Sequence, residues 1–263
     1  MMNIVRGRTL PDAYHNALRT LFEFGGIVEC PQWETRCREL PMAFIAESPM
    51  EEPRISRLFP GGPRDLEKYR LEMLYGIEDF EVERGNWKYT YHERIGWQIK
   101  EVIRELRRDP NSRRAVIEVR RTSDAYLDDP PCLQNIQFMI RDGRLNMIAI
   151  FRSNDACKAT FMNAYALTCL QEMIAGELGV GIGSYTHIAN SFHAYERDWG
   201  LLESYSDRIL SGGELTYNFR GEWDELMEAE RDDILREVEE LRWRNTGREN
   251  GWMCKETLFW SEK

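Results

Sequence analysis

Apolar side chains recur along this chain at two periods, and those periods sort it into helices and strands. Ala17, Leu18, Leu21 and Phe22 share one face of a helical repeat. The spacing predicts an amphipathic helix over 11–24, opened by Pro11 and stopped by Gly25-Gly26. A short helix is expected over 66–76. Ile95, Ile99, Val102, Ile103 and Leu106 define another helix, ended by the turn Asp109-Pro110-Asn111-Ser112. Alternation and β-branching predict strands over 114–120, 135–141 and 145–151, the last two joined through Asp142-Gly143, a hairpin signal. A long apolar helix covers 160–178 and stops at Gly179. Ser184-Tyr185-Thr186-His187-Ile188 reads as a further strand, and 222–243 as a charged helix. Residues 49–65 hold four of the ten prolines plus Gly61-Gly62, and read as a surface loop because patterned segments resume at once. Without a repeat, low-complexity tract or domain boundary, the expectation is one α+β domain over 1–263, a mixed β-sheet covered by helices.

Composition narrows the function classes. At 263 residues and 42% hydrophobic, the chain can bury a substantial core. No stretch approaches the roughly 18 apolar residues of a membrane span, and Met1-Met2-Asn3-Ile4-Val5-Arg6 is not an apolar signal region, so a cytoplasmic protein is expected. Cysteines 30, 37, 132, 157, 169 and 254 form no CxxC pair and no Cys/His metal spacing, which favours reduced thiols and no metal site. A net charge of −10 argues against a general nucleic-acid binder. Local arginine knots at Arg113-Arg114 and Arg152 can still hold a small phosphorylated molecule.

The chemistry centres on Cys132, which follows Asp128-Asp129-Pro130-Pro131 and precedes Leu133-Gln134-Asn135. A cysteine in a β-rich core is commonly a small buried hydrophobe. Here the prolines stiffen its approach, polar residues follow it, and Arg152 can reach it across the 135–141/145–151 hairpin to favour a thiolate. Arg113-Arg114 read either as a solvated pair near a helix C-terminus or as a phosphate clamp. Arg152-Ser153, at a strand end, add a second guanidinium and a hydroxyl. Asn163, in the apolar helix, needs several partners if structural, and otherwise suits reading a pyrimidine edge. His193 and Tyr195 fall on the same face of a strand, and with His187 they fit a polar wall.

In this order the residues resemble the thymidylate synthase superfamily, which includes pyrimidine nucleotide hydroxymethylases. The matching string is Ser112-Arg113-Arg114, then Pro130-Pro131-Cys132 with Gln137-Phe138 downstream, then Arg152-Ser153 and Asp155, then Asn163, then His187, His193 and Tyr195. It covers residues 86–199 well and the N-terminal third faintly, with 201–263 a divergent helical region. The resemblance implies a homodimer and folate-dependent one-carbon transfer to C5 of a pyrimidine nucleoside monophosphate, with 5,10-methylenetetrahydrofolate as donor. Cys132 would add to C6 of the base. Arg152 and Ser153 would bind the 5′-phosphate, with Arg113 and Arg114 reaching the other subunit's site. Asp155 would orient the folate, Asn163 the base, and His193 and Tyr195 the sugar. An upstream glutamate, Glu72 or Glu67, would serve as general acid/base, and Trp87 to Tyr91 would line the pocket.

Departures from the family pattern shape the finer expectation. Leu133 stands where synthases usually carry His, Asn190-Ser191 where they carry Gly-Asp, and Asn250 to Trp260 does not match their closing tail. Methyl transfer needs a dry, closed site, whereas hydroxymethylation lets water finish the reaction. The expectation is therefore a hydroxymethylase. Asn rather than Asp at 163 points to uracil, giving 5-hydroxymethyl-dUMP. Thymidylate synthase, a cytosine hydroxymethylase and a non-catalytic nucleotide- or RNA-binding relative are the alternatives.

Overall fold

Leu145, Met147, Ala149 and Phe151 alternate along one segment and are all fully buried, so a single sheet face forms the centre of the core. The computed structural model describes residues 1–244. In chain order the elements are β1 (Asn3–Gly7), α1 (Leu10–Phe24), β2 (Gly26–Cys30), β3 (Thr35–Ala46), β4 (Ile55–Ser56), α2 (Pro63–Tyr75) and α3 (Phe80–Glu83). They continue with α4 (Tyr91–Arg108), β5 (Val116–Glu118), β6 (Leu133–Arg141), β7 (Arg144–Phe151), β8 (Asn154–Asp155) and α5 (Thr160–Leu178). The last are β9 (Gly181–Tyr195), α6 (Trp199–Leu210), β10 (Thr216–Tyr217) and α7 (Asp224–Arg244).

The main sheet runs β1-β3-β9-β7-β6-β5, with β2 beside β3 and β8 beside β9. It is mixed: β7 and β9 are parallel, while β6 and β7 form an antiparallel hairpin. Asp142 and Gly143 turn that hairpin with positive φ at both positions, which a two-residue turn of this hand requires. α5 makes the crossover between parallel β7 and β9 and packs on the buried sheet face. There the buried Gln171 donates to the carbonyls of Leu145, Gly183 and Ser184, pinning helix to sheet. Ile148, Ile150, Ile188 and Ile45 form the opposite row, half-buried within one chain. Beside the main core, α2 and α7 enclose a smaller cluster of Leu71, Ile77, Phe80, Ile234 and Val238.

The fold class is as expected, a mixed sheet covered by helices, and the apolar helix spans 160–178 as the pattern predicts. Three elements differ. The strand expected over 114–120 shortens to β5, because the chain before it is held in a turn by Ser112 Oγ, which accepts from the Arg114 amide and donates to Glu105. The strand expected over 184–188 extends into the fifteen-residue β9, paired along both edges. The loop expected over 49–65 already contains β4 and the first turn of α2. The expected tail contrast at Asn250 to Trp260 lies outside the described residues.

Candidate active site

Cys132 sits just before β6, half-buried, where the strand ends of β6 and β7 meet. Its carbonyl accepts from the Arg152 amide at 2.8 Å, continuing the β6–β7 ladder past the strand ends. The sulfur lies 3.6 Å from Ser153 Oγ, and Arg152 Nη1 is 3.3 Å from the same hydroxyl. Arg152 also donates to the carbonyls of Pro130 and Pro131 and pairs with Asp129 at 3.0 Å. One guanidinium thus fastens the Asp-Pro-Pro approach to Cys132 and sits beside the serine that touches its thiol. Gln134 Nε2 closes the turn by donating to the Pro131 carbonyl at 2.7 Å.

Asn163 is buried in the first turns of α5, and its Oδ1 accepts a hydrogen bond from the Tyr69 hydroxyl on α2. Tyr69 opens onto a cavity of about 160 Å³ shared with Glu72, Met73, Glu78, Asp79, Trp87, Tyr89, Thr90 and Tyr91. Tyr91 also reaches the cysteine loop: its hydroxyl accepts from the Leu133 amide at 3.3 Å. The cavity therefore links the Asn163 side to the Cys132 side through two tyrosines.

Glu72 is one of three carboxyls lining this cavity, with Glu78 and Asp79. Burial, reinforced by the nearby Glu78 carboxyl, pushes it up to about 8, so it is largely protonated at neutral pH. Lys68 Nζ lies 3.7 Å from Glu72 and 2.9 Å from Glu78, and partly offsets the pair. Glu67 has a different role. It is buried on the other side of α2 and accepts from Arg70 through both oxygens and from Arg231 of α7. Burial alone would raise its carboxyl, but those guanidiniums hold it below the usual range. Of the two upstream glutamates, only Glu72 lines the cavity.

β8 and β9 carry the remaining candidates. Asp155 pairs in register with His193, but its Oδ1 accepts from the amides of Cys157 and Lys158, capping the start of the turn into α5. His193 and Tyr195 meet edge-on at 4.9 Å between ring centroids, on the same strand face as their spacing requires. His193 Nδ1 approaches the Ser191 carbonyl at 3.2 Å, while its buried Nε2 has no partner among the described residues. His187 does not join this wall. It is fully buried, stacked at 4.5 Å on Phe44 and 4.4 Å on Phe151, and hydrogen-bonded to Tyr185, because the register shift between Ala189 and Phe192 breaks the alternation of β9 and leaves His187 on the opposite face from His193. Burial lowers it to about 3, so it is a neutral core side chain.

Arg113 and Arg114 are not brought to Cys132 within one chain. Both are exposed, and Arg114 pairs with Glu105 at 3.2 Å. Gln137 Nε2 donates to the Arg113 carbonyl at 3.0 Å, and Gln137 is five positions along the chain from Cys132, roughly 17 Å at ordinary strand rise.

A sequence-family model described as thymidylate synthase matches residues 65–245, more than half of the chain. The chain belongs to the thymidylate synthase family. A protein of Methanocaldococcus jannaschii named "Putative thymidylate synthase" is 33% identical over 80% of this chain and 98% of its own length. One of the same name from Methanosarcina barkeri is 30% identical over 76% of this chain and 93% of its own. Thermostable thymidylate synthase A from Bacillus subtilis shares the fold, with a TM-score of 0.62 at 16% identity, covering 76% of this chain and 84% of that one. As a thymidylate synthase family member the chain is a one-carbon transferase, and the family's donor is methylenetetrahydrofolate.

The cavity suits that donor chemically. Rings of Trp87, Tyr89 and Tyr91 share its lining with the carboxyls of Glu72, Glu78 and Asp79, a combination that matches a planar heteroaromatic ring bearing N–H donors. The sequence reading placed the Trp87 to Tyr91 segment in the pocket wall but missed Tyr69 and Glu78. Aromatic residues on an amphipathic helix read as core, and only the packing of α2 on α5 turns the Tyr69 hydroxyl toward Asn163. No helix among the described residues is long and apolar enough to cross a membrane.

Proposed function

We propose that this chain is a thymidylate synthase acting on dUMP, with Cys132 as the C6 nucleophile. The observation that carries the reading is the cluster at the β6 and β7 ends, where thiol, Ser153 hydroxyl and Arg152 guanidinium lie in one contact series. That series suits a nucleoside monophosphate whose base faces the sulfur and whose 5′-phosphate takes the guanidinium and hydroxyl. Thiolate addition forms a C–S bond at C6 and moves the C5–C6 π pair onto O4, making C5 nucleophilic. The Asn163 amide donates to O4, where that charge gathers. Glu72, protonated at neutral pH, is placed to give and take protons at the base. His193 and Tyr195 hold the sugar, and Asp155 lies beside the folate position. Methylenetetrahydrofolate, when bound, supplies the carbon and, for a methyl product, the hydride.

Relatives bearing the synthase name along nearly their full length favour methyl over hydroxymethyl as the product, which shifts the reading away from the hydroxymethylase that the sequence departures suggest. Mass analysis of the product decides it. dTMP with stoichiometric dihydrofolate supports the synthase, and 5-hydroxymethyl-dUMP without dihydrofolate overturns it.

The same proposal includes one domain over residues 1–263 and a homodimer. The row of Ile148, Ile150, Ile188 and Ile45 offers an apolar sheet face for a second copy. The distance of Arg113 and Arg114 from their own Cys132 suits clamping the partner's phosphate. Five free cysteines among the described residues suit a reducing, cytoplasmic compartment.

A further inference from the structure

Behind α2, away from Glu72, lies a second cavity of about 250 Å³, whose lining includes Arg54, Arg70, Tyr165, Cys169, Glu172 and Phe219. Arg70 and Glu72 are two positions apart on the helix, roughly 200° around its axis, so the two cavities occupy opposite faces of α2.

Arg54 is the unusual member of this lining. It is only 5% exposed, yet its Nη2 is buried without a hydrogen-bond partner among the described residues. Its guanidinium lies 4.7 Å from the Phe219 ring centre and 5.8 Å from that of Tyr165. A buried guanidinium ordinarily has a carboxylate partner, since leaving its N–H donors dry and unpaired is costly. The nearby carboxylates are engaged elsewhere. Glu52 accepts from the backbone amides of Arg54, Phe219 and Arg220. Glu67 is shared between Arg70 and Arg231. No carboxylate among the described residues is therefore hydrogen-bonded to the Arg54 guanidinium, and its Nη2 is left as a dry donor beside the cavity.

We propose that Arg54, with Arg70, forms a binding site for a small monoanionic carboxylate. The carboxylate oxygens take the planar Arg54 fork, and the apolar remainder lies against Phe219 and Tyr165. A carboxylate meets the one unpaired guanidinium edge with a single charge. A phosphate monoester would bring about 1.5 to 2 charges at neutral pH against rings of Phe219 and Tyr165, at a larger desolvation cost.

Isothermal titration of the full chain with propionate, and separately with inorganic phosphate, tests the assignment. Wild type should bind propionate in the millimolar range, and Arg152→Ala, which weakens the nucleotide phosphate anchor, should bind it equally well. Arg54→Met should lose at least roughly tenfold in propionate affinity. Arg54→Lys, which keeps the charge without the fork, should weaken it severalfold while leaving turnover of dUMP unchanged. The proposal is overturned if wild type does not bind propionate, or if both Arg54 variants bind it as wild type does. It is equally overturned if Arg152→Ala abolishes the binding, or if phosphate binds Arg152→Ala more tightly than propionate does.

Discussion

The hydroxyl of Tyr69 on α2 donates a hydrogen bond to Oδ1 of Asn163 on α5. That bond fixes the carboxamide so that its Nδ2 hydrogens remain for a ligand. Free N–H donors match the O4 carbonyl of uracil and oppose the 4-amino group of cytosine. Tyr69→Phe releases the amide to turn over. The expected result is a fall of about tenfold in the kcat/KM preference for dUMP over dCMP, with little change in Tm. An unchanged preference would separate Tyr69 from base choice.

Glu72 predicts both a rate profile and a stability profile. If its protonated form is the working one, kcat declines as pH rises through about 8. Glu72→Gln should remove that limb and lower kcat by roughly 10²–10⁴. The folded-state value is raised above the unfolded one, so the carboxyl's contribution to stability is full below about 4.5 and is lost as pH rises toward and through about 8. Thermal unfolding of Glu72→Gln against wild type should show the variant gaining relative stability from pH 5 to 9, and no such trend would argue against the buried protonated carboxyl.

His187 predicts the reverse dependence. Burial lowers its folded-state value to about 3 while the unfolded chain titrates near 6.5, so the unfolded state binds more protons between these limits. Stability from the neutral ring is present above 6.5 and is lost as pH falls. In His187→Phe, Tm should decline less than in wild type between pH 7 and 4. The pH profile of kcat should not move, since His187 lies in the core between Phe44 and Phe151.

Arg152 holds both the proline turn and the Ser153 hydroxyl, so its loss should show in two places. Arg152→Ala is expected to raise KM for dUMP at least roughly tenfold, from lost charge-assisted hydrogen bonds. It should also lower kcat by loosening the Cys132 loop. Arg152→Lys should recover part of the KM effect and little of the kcat effect, because an ammonium cannot span the Pro130 and Pro131 carbonyls and Ser153 together. Steady-state kinetics on the two variants checks both.

Local pattern carried the elements that local pattern determines. α5 follows from an unbroken apolar run, and the β6–β7 hairpin from Asp142-Gly143. β3 could not be read this way. Its sequence mixes charges with Pro41, and that proline falls where the β3–β9 register shifts between Leu40 and Met42, a position where a missing N–H is tolerated. Its strand character comes from partners on both sides, not from its own alternation. The site divided similarly. Cys132, Arg152 and Ser153 lie on adjacent strand ends and were legible as a group. The choice between Glu67 and Glu72 was not, because Glu67 is engaged by Arg231, 164 positions away. His187 was misplaced because its even spacing from His193 implies a shared face, and the register shift between Ala189 and Phe192 that separates them depends on pairing with β3.

The central claim is that the Cys132 sulfur adds to C6 of dUMP. Release of tritium from [5-³H]dUMP in the presence of methylenetetrahydrofolate measures it most directly, since C5 exchanges its hydrogen only after that addition. Wild type should release tritium in step with product, and Cys132→Ala should release none while keeping the wild-type fold by circular dichroism. Tritium release by Cys132→Ala at the wild-type rate, or none from wild type, would contradict the assignment.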